Sequence, residues 1–238
     1  MVLKEVNDFE LTSGLLNTSR RVWVQCSLSP NPLDCLVFLD AELYLQRVQV
    51  PDIITRLQCE GRLVSTTCVY VSNGSAADRH VDYICNEVYS RFLATDLRHW
   101  IETNVGHHRR MTLCGLSLSG LAAAFAVSRH SSVFSSALCQ SPSAWWNDEW
   151  LTNSIETTRS NRRRCWVSVG NQELQTGISH PPTGLYQNVS QRESCQRLAD
   201  KMAHCGYTVR FSEFDGGHDP VCWAAELPSA FDWLLNDN

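Results

Sequence analysis

Short apolar runs punctuate the chain at residues 35–39, 67–71, 111–114, 136–140, 164–169 and 207–214. A run such as Cys-Leu-Val-Phe-Leu at 35–39 leaves no polar face, the pattern of a strand buried on both sides. Residues 21–27 differ: charged and apolar positions alternate there, which is the period of a half-buried strand. Helical spacing lies between several of the runs, over 86–102, 120–129 and 191–206, and Gly206 stands where it can end the last helix. Alternation of strand and helix predicts an α/β fold with a mostly parallel central sheet and helices on both faces. There is no repeat, low-complexity tract or linker, so the expectation is a single domain over residues 1–238 with its core at about 20–235. The longest irregular stretch, residues 171–188 with Pro181-Pro182 inside it, is expected to border the site, because such folds carry function on loops at the carboxyl ends of their strands.

Composition narrows the picture. A chain of 238 residues is long enough for one well-buried α/β domain. Its formal net charge of -5 argues against generic nucleic-acid binding. Basic clusters at 107–110 and 162–164 each precede a predicted strand and read as solvated loop ends, available at most to assist an anionic substrate. The cysteine count, 11, is high, yet no C-x-x-C occurs, so metal-finger spacing is absent and no metal or other cofactor is expected. Cys35, Cys68, Cys114, Cys139 and Cys165 fall inside apolar runs, where cysteine acts as a small hydrophobe. With a polar start and no stretch of membrane-spanning length, the expectation is a cytoplasmic chain with reduced thiols and no membrane partner.

Chemistry concentrates at two places. Gly115-Leu116-Ser117-Leu118-Ser119-Gly120 follows one apolar run and opens a helical one. A serine among small residues at a strand-to-helix turn is a nucleophile elbow, the hallmark of the α/β-hydrolase fold. Asp215-Gly216-Gly217-His218-Asp219 breaks the chain after the last strand, where that fold supplies its general base. A serine hydroxyl is a weak nucleophile near neutral pH, so Ser117 needs an imidazole such as His218 to take its proton and return it. Glu173, on the loop leaving the strand at 164–169, is the preferred acid to orient that histidine. Asp215 and Asp219 remain weaker alternatives, and Asp148 and Glu149 come too early in the chain. An oxyanion hole should draw one backbone N–H from Leu118 and another from the turn Asp40-Ala41-Glu42 after the strand at 35–39.

These residues carry a resemblance. Leu39-Asp40-Ala41-Glu42, the elbow, Gln140-Ser141-Pro142-Ser143-Ala144-Trp145-Trp146 and Asp215-Gly216-Gly217-His218-Asp219 with Cys222-Trp223 resemble the enterochelin-esterase-like branch of the α/β-hydrolases. Arg79-His80-Val81-Asp82-Tyr83, Asn86-Glu87 and Phe92-Leu93 add to it, and the likeness spans about residues 20–235. It implies Ser117 as nucleophile, His218 as base, Glu173 as acid, Leu118 and Glu42 as backbone donors, and Arg79 facing the substrate. Trp145 and Trp146 either wall a pocket for a planar aryl group or pack the core, and Trp223 is expected to pack. The resemblance also implies a small-molecule ester substrate, a catecholate siderophore of linked catecholoyl-serine units or a related aryl ester. The family usually carries Asp-Gly where this chain has Asp40-Ala41, which tests the turn if that position needs a positive φ. The expectation is a serine carboxylic ester hydrolase acting through an acyl-serine. An acyltransferase on the same residues and a non-catalytic binding module are the alternatives.

Overall fold

The computed structural model describes residues 6–27, 32–63, 65–157 and 163–236. An eight-stranded sheet forms the centre, in the order β1-β2-β4-β3-β5-β6-β7-β10. Its strands are β1 (Val6–Ser13), β2 (Thr18–Gln25), β3 (Asp34–Leu39), β4 (Thr66–Val71), β5 (Arg110–Leu116), β6 (Ser136–Gln140), β7 (Arg164–Gly170) and β10 (Thr208–Phe214). The pairs β1–β2 and β2–β4 are antiparallel, and every pair from β4 onward is parallel. The runs at 35–39 and 67–71 are buried along their whole length, as strands covered on both faces must be.

Helices cover both faces. On one lie α1 (Ala41–Leu43), continuing into a π-helical turn (Tyr44–Val48), then α2 (Val50–Cys59) and, from the far end of the chain, α9 (Pro220–Leu235). On the other lie α4 (Glu87–Phe92), α5 (Arg98–Asn104), α6 (Leu118–Arg129), α7 (Trp146–Ser154) and α8 (Gln191–His204), with the short α3 (Ala76–Asp82) after β4. The single helix expected over 86–102 is therefore two, joined by a π-helical turn (Leu93–Leu97), with Asn86 capping the first through hydrogen bonds from the Val88 and Tyr89 amides. Helix α6 begins two residues earlier than its apolar pattern, because Ser117 leaves helical geometry and the helix starts at once behind it. Gly206 follows α8 at φ 93°, the left-handed exit its position called for.

Part of the stretch expected to be irregular is folded. Ile178–His180 (β8) and Leu185–Gln187 (β9) pair as an antiparallel hairpin around the two prolines. The basic clusters sit at the opposite end of the sheet from the site. Arg110 opens β5 and pairs with Asp34 at 2.5 Å, while Arg164 opens β7 and donates to the Asn236 carbonyl at 2.8 Å. Arg162 of the second cluster lies outside the described residues. Among the described residues no helix is long and apolar enough to cross a membrane.

Candidate active site

The elbow is built by glycine and serine. Ser117 has φ 54° and ψ -121°, a strained conformation for a residue with a side chain and one that recurs at functional sites. A Cβ on Gly115 would overlap the Ser119 carbonyl, so that position must be glycine. Ser119 is wholly buried and closes the turn by donating to the Leu116 carbonyl at 2.8 Å while accepting from the Leu116 amide at 3.0 Å. Main-chain bonds from Ser117 N to Gln140 O at 2.8 Å and from Ser143 N to Ser117 O at 3.0 Å tie the elbow to the exit of β6.

Register brings the other two groups together. Phe214 at the end of β10 lies beside Gly170 at the end of β7, so the exit loops of these strands start side by side. They are stitched by Asn171 N to Phe214 O at 2.9 Å and Gln172 N to Gly216 O at 3.0 Å. There His218 Nδ1 meets Glu173 Oε2 at 2.6 Å. Glu173 is 8% exposed. Burial alone would raise its carboxyl, but hydrogen bonds and charge from His218, with further donors in Ser141 and the Gly170 amide, hold it below the ordinary carboxylate value. An ionised Glu173 only accepts, so Nδ1 donates and Nε2 of the neutral ring is left as the proton acceptor. The alternative acids are otherwise engaged: Asp215 accepts from Asn171 Nδ2 at 3.1 Å, and Asp219 caps α9 by accepting from Val221 N at 2.7 Å.

Ser117 and His218 line one cleft of about 400 Å³, together with Ser143, Trp145, Glu173 and Gly217. Its remaining wall is Gln172, Gln175, Ile178, His180, Gln187 and Gln191, so the hairpin falls within the expected border region. Trp145 is clipped in place: its indole N–H donates to Gln191 Oε1 at 2.5 Å, and Gln191 Nε2 donates to the Ser141 and Pro142 carbonyls. His180 lies flat on the indole, with ring centroids 4.9 Å apart and planes at 6°. Trp145 thus walls the cleft.

Two expected contacts go elsewhere. Trp146 is not among the cleft-lining residues; it packs edge-on against Trp150 at 6.2 Å and onto the core, because it opens α7 among the apolar side chains that cover that face of the sheet. Arg79 is not among them either. Its guanidinium binds Asp40 with Nε at 2.8 Å from Oδ1 and Nη2 at 2.7 Å from Oδ2. Asp40 is wholly buried at the turn after β3, and a charge there requires a cation beside it.

That pair braces the turn after β3. The positive φ falls on Asp40, at 56°, and not on Ala41, so the alanine is accommodated within α1. The carbonyl of Asp40 accepts from Leu43 N and Tyr44 N. Glu42 points its carboxylate to the Ser72 hydroxyl and the Asn73 amide, leaving its own amide in the first turn of a helix, where no intrahelical acceptor exists. The Leu118 amide has the same standing at the start of α6.

Ser141 and Trp223 hold the site together and carried no sequence signal of that role. Ser141 Oγ donates to Glu173 Oε1 at 2.6 Å and accepts from Trp223 Nε1 at 3.1 Å. The Trp223 ring meets the His218 ring edge-on at 4.8 Å. Trp223 packs as expected, at 4% exposure, and also orients the histidine. Burial pushes the Cys165 thiol up to about 12 and those of Cys35, Cys114, Cys139 and Cys195 well above the ordinary range, which leaves them inert as nucleophiles. Among the described residues no group of three His, Cys, Asp or Glu is placed to hold a metal ion.

Comparison with known proteins bears on the family and the fold. The chain is similar to the iron(III) enterobactin esterase of Dickeya dadantii (strain 3937), with 23% identity over 94% of this chain and 53% of that protein. A second enterobactin esterase, from Escherichia coli O6:H1, is also 23% identical, over 90% of this chain and 53% of that protein. The chain therefore spans about half the length of the curated relatives it matches. The fold is shared with the Shigella flexneri enterobactin esterase solved in the presence of enterobactin, at TM-score 0.81 and 21% identity, covering 97% of this chain and 59% of that one. A ferulic acid esterase matches at TM-score 0.74 and 19% identity, covering 97% of both chains. The family model described as Putative esterase matches residues 13–234, and the chain belongs to that esterase family.

Proposed function

We propose that the protein is a serine carboxylic ester hydrolase that works through an acyl-serine intermediate. The observation that carries the reading is the His218–Glu173 bond at 2.6 Å in the same cleft as Ser117. In this mechanism the Ser117 oxygen attacks the ester carbonyl while His218 Nε2 takes the hydroxyl proton. The amides of Leu118 and Glu42 stabilise the oxyanion of the tetrahedral intermediate. The carbon–oxygen bond to the alcohol then breaks, and His218 returns the proton to the departing oxygen. Water attacks the acyl-serine, its proton passing to His218, and the collapse frees the acid and restores the Ser117 hydroxyl. Glu173 keeps the imidazole in the donating Nδ1 tautomer and stabilises the imidazolium.

Aryl esters are the substrate class that the cleft supports, including catecholate siderophore esters of the kind named for the relatives. Trp145 backed by His180 gives a flat aromatic wall, and a volume of about 400 Å³ suits one aryl-acyl arm of a larger ester. We place the protein in the cytoplasm, a reading supported by a cysteine-rich core, in which eight of the eleven cysteines are buried as small apolar side chains.

Labelling with a fluorophosphonate probe, read by intact mass and peptide mapping, tests the mechanism. A single adduct on Ser117 that is lost in Ser117→Ala and in His218→Ala is the expected result. A folded wild-type protein that takes no label would overturn the reading. Faster release of product when an alcohol acceptor is added would make the same site a transferase.

A further inference from the structure

A second carboxylate lies under the cleft and takes no part in the steps above. Glu226 belongs to α9, one turn beyond Trp223, within the stripe of Trp223, Leu227, Ala230 and Phe231 that packs on the sheet. It is 9% exposed, at a place where an apolar side chain would bury without penalty. Neutral donors surround it. Gln140 Nε2 at 2.7 Å and Ser168 Oγ at 2.6 Å donate to Oε1, and Trp166 Nε1 at 3.3 Å donates to Oε2.

Gln140 is the junction between this carboxylate and the site. Its amide nitrogen also donates to the Trp223 carbonyl at 2.9 Å, and its Oε1 accepts from the Tyr44 hydroxyl at 3.0 Å. Its main-chain carbonyl holds the Ser117 amide at 2.8 Å. From Trp223 the indole N–H runs to Ser141, then to Glu173 and His218. Hydrogen bonds to the two ends of Trp223, its carbonyl and its indole, thus join Glu226 to the base through that residue, and Gln140 joins it to the elbow through its own main chain.

We propose that Glu226 is a positioning residue for Ser117 and His218, acting as an ionised carboxylate that fixes the Gln140 amide and through it the main chain of Trp223; this rests on the hydrolase reading above. The physical reason is the match of donors to acceptors. A carboxylate offers only acceptor sites, so all three neighbours can donate at once. The Gln140 amide cannot turn over, because its oxygen would then face both the carboxylate and the Trp223 carbonyl. A protonated Glu226 cannot accept from all three groups as the carboxylate does: the Ser168 hydroxyl must reverse to accept its proton or a donor is displaced, and the junction loosens.

Burial pushes the Glu226 carboxyl up to about 7, against the lowering effect of Ser168, Gln140 and Trp166 and with a further raising effect from Glu173. The change of state therefore falls near neutrality. Among the described residues, the titratable groups coupled to it are Glu173 on the exit of β7 and Tyr44 on the π-helical turn, whose phenol burial keeps protonated. The contacts from β6 and β7 are the neutral donors already named, and α2, also packed on α9, buries Val50, Ile54 and Leu57.

The test compares wild type with Glu226→Gln by kcat/KM on one activated aryl ester from acid to alkaline pH. The ratio of the two cancels the ionisation of His218 that both share. It should rise from near one in acid to roughly 10-fold in alkali, the scale of a sub-ångström misplacement of catalytic groups, with its midpoint near the Glu226 value. Ser168→Ala, which removes one donor from the carboxylate, should move that midpoint to higher pH and serves if the first variant folds poorly. A ratio independent of pH, which a purely structural role gives, overturns the proposal. NMR of the His218 Nδ1 proton needs no substrate: its low-field resonance should shift or broaden in Glu226→Gln. An unchanged resonance overturns the proposal, whether or not an ester is turned over. A shifted resonance in a protein that turns over no ester supports the positioning role and counts against the hydrolase reading alone.

Discussion

Arg79 and Asp40 form a two-point ion pair beneath the turn that follows β3, with Asp40 wholly buried and the Arg79 side chain 19% exposed. Asn73 Nδ2 adds a third donor to Asp40 at 3.0 Å, and the Tyr83 hydroxyl accepts from the Asp40 amide at 3.0 Å. A residue in the left-handed region thus has its side chain and its main chain both anchored. The turn is thus held by Asn73 from the loop after β4 and by Arg79 and Tyr83 from α3 and its carboxyl end.

Arg79→Ala should therefore act on stability. Removing the cation strands a buried carboxylate, at a cost of about 3–5 kcal/mol. Urea unfolding measures it, and Arg79→Lys should recover part of the loss through a single contact. A variant with wild-type stability but a much higher KM would return Arg79 to the substrate.

Ser117→Ala should lower kcat by about 10⁴-fold or more, with the fold intact, since only the nucleophile is lost. Single-turnover assays on an activated aryl ester measure it. Retention of most of the activity would exclude Ser117 as the attacking group.

Glu173→Gln should lower kcat by roughly 10³–10⁴-fold, because an amide cannot hold the imidazole with the same tautomer and charge. Stability carries a second signature. The carboxyl of Glu173 is held below its ordinary value, so its contribution is present above that value and is lost as pH falls through the folded one. Wild type should exceed the variant in stability at neutral pH, with the gap closing in acid. A gap that does not change with pH would show that the pair contributes nothing through charge.

Glu226 has the opposite sign. Its carboxyl rises from 4.5 to about 7, so the stability it contributes is present below 4.5 and is lost as pH rises through about 7. The shift corresponds to about 3 kcal/mol at 1.36 kcal/mol per unit. Between pH 5 and pH 8, unfolding free energy should change by about that much in favour of Glu226→Gln over wild type. A constant difference across that range would sink the assignment. A group that lowers stability at working pH yet sits in the network behind the histidine fits a functional role.

Several elements were legible from the residues alone. Strands β3 to β7 announce themselves because each is covered on both faces and carries a mostly apolar run. The elbow is legible because Gly115 and Ser119 sit where a larger side chain cannot, and the histidine loop because glycines break the chain after the last strand. Strand β1 leaves no mark in the sequence: only Leu11 and Ser13 of it are buried, so no apolar run or alternation distinguishes it. Helix α9 was hidden by Pro220 and Pro228, although the first stands at its amino end, where proline is tolerated.

What the sequence determined, then, was where backbone and hydrophobic pattern are set by near neighbours: a mostly parallel α/β sheet, a strained serine after β5 and a histidine after β10. Which polar groups meet was decided only by the tertiary structure. Glu173 reaches His218, and Asp215 does not, because Phe214 and Gly170 share a register across two strands distant in the chain. Arg79 meets Asp40, Ser141 bridges Glu173 and Trp223, and Glu226 meets Gln140 for the same reason. A buried charge takes whatever partner the packing brings within hydrogen-bond reach, and no local pattern records that choice.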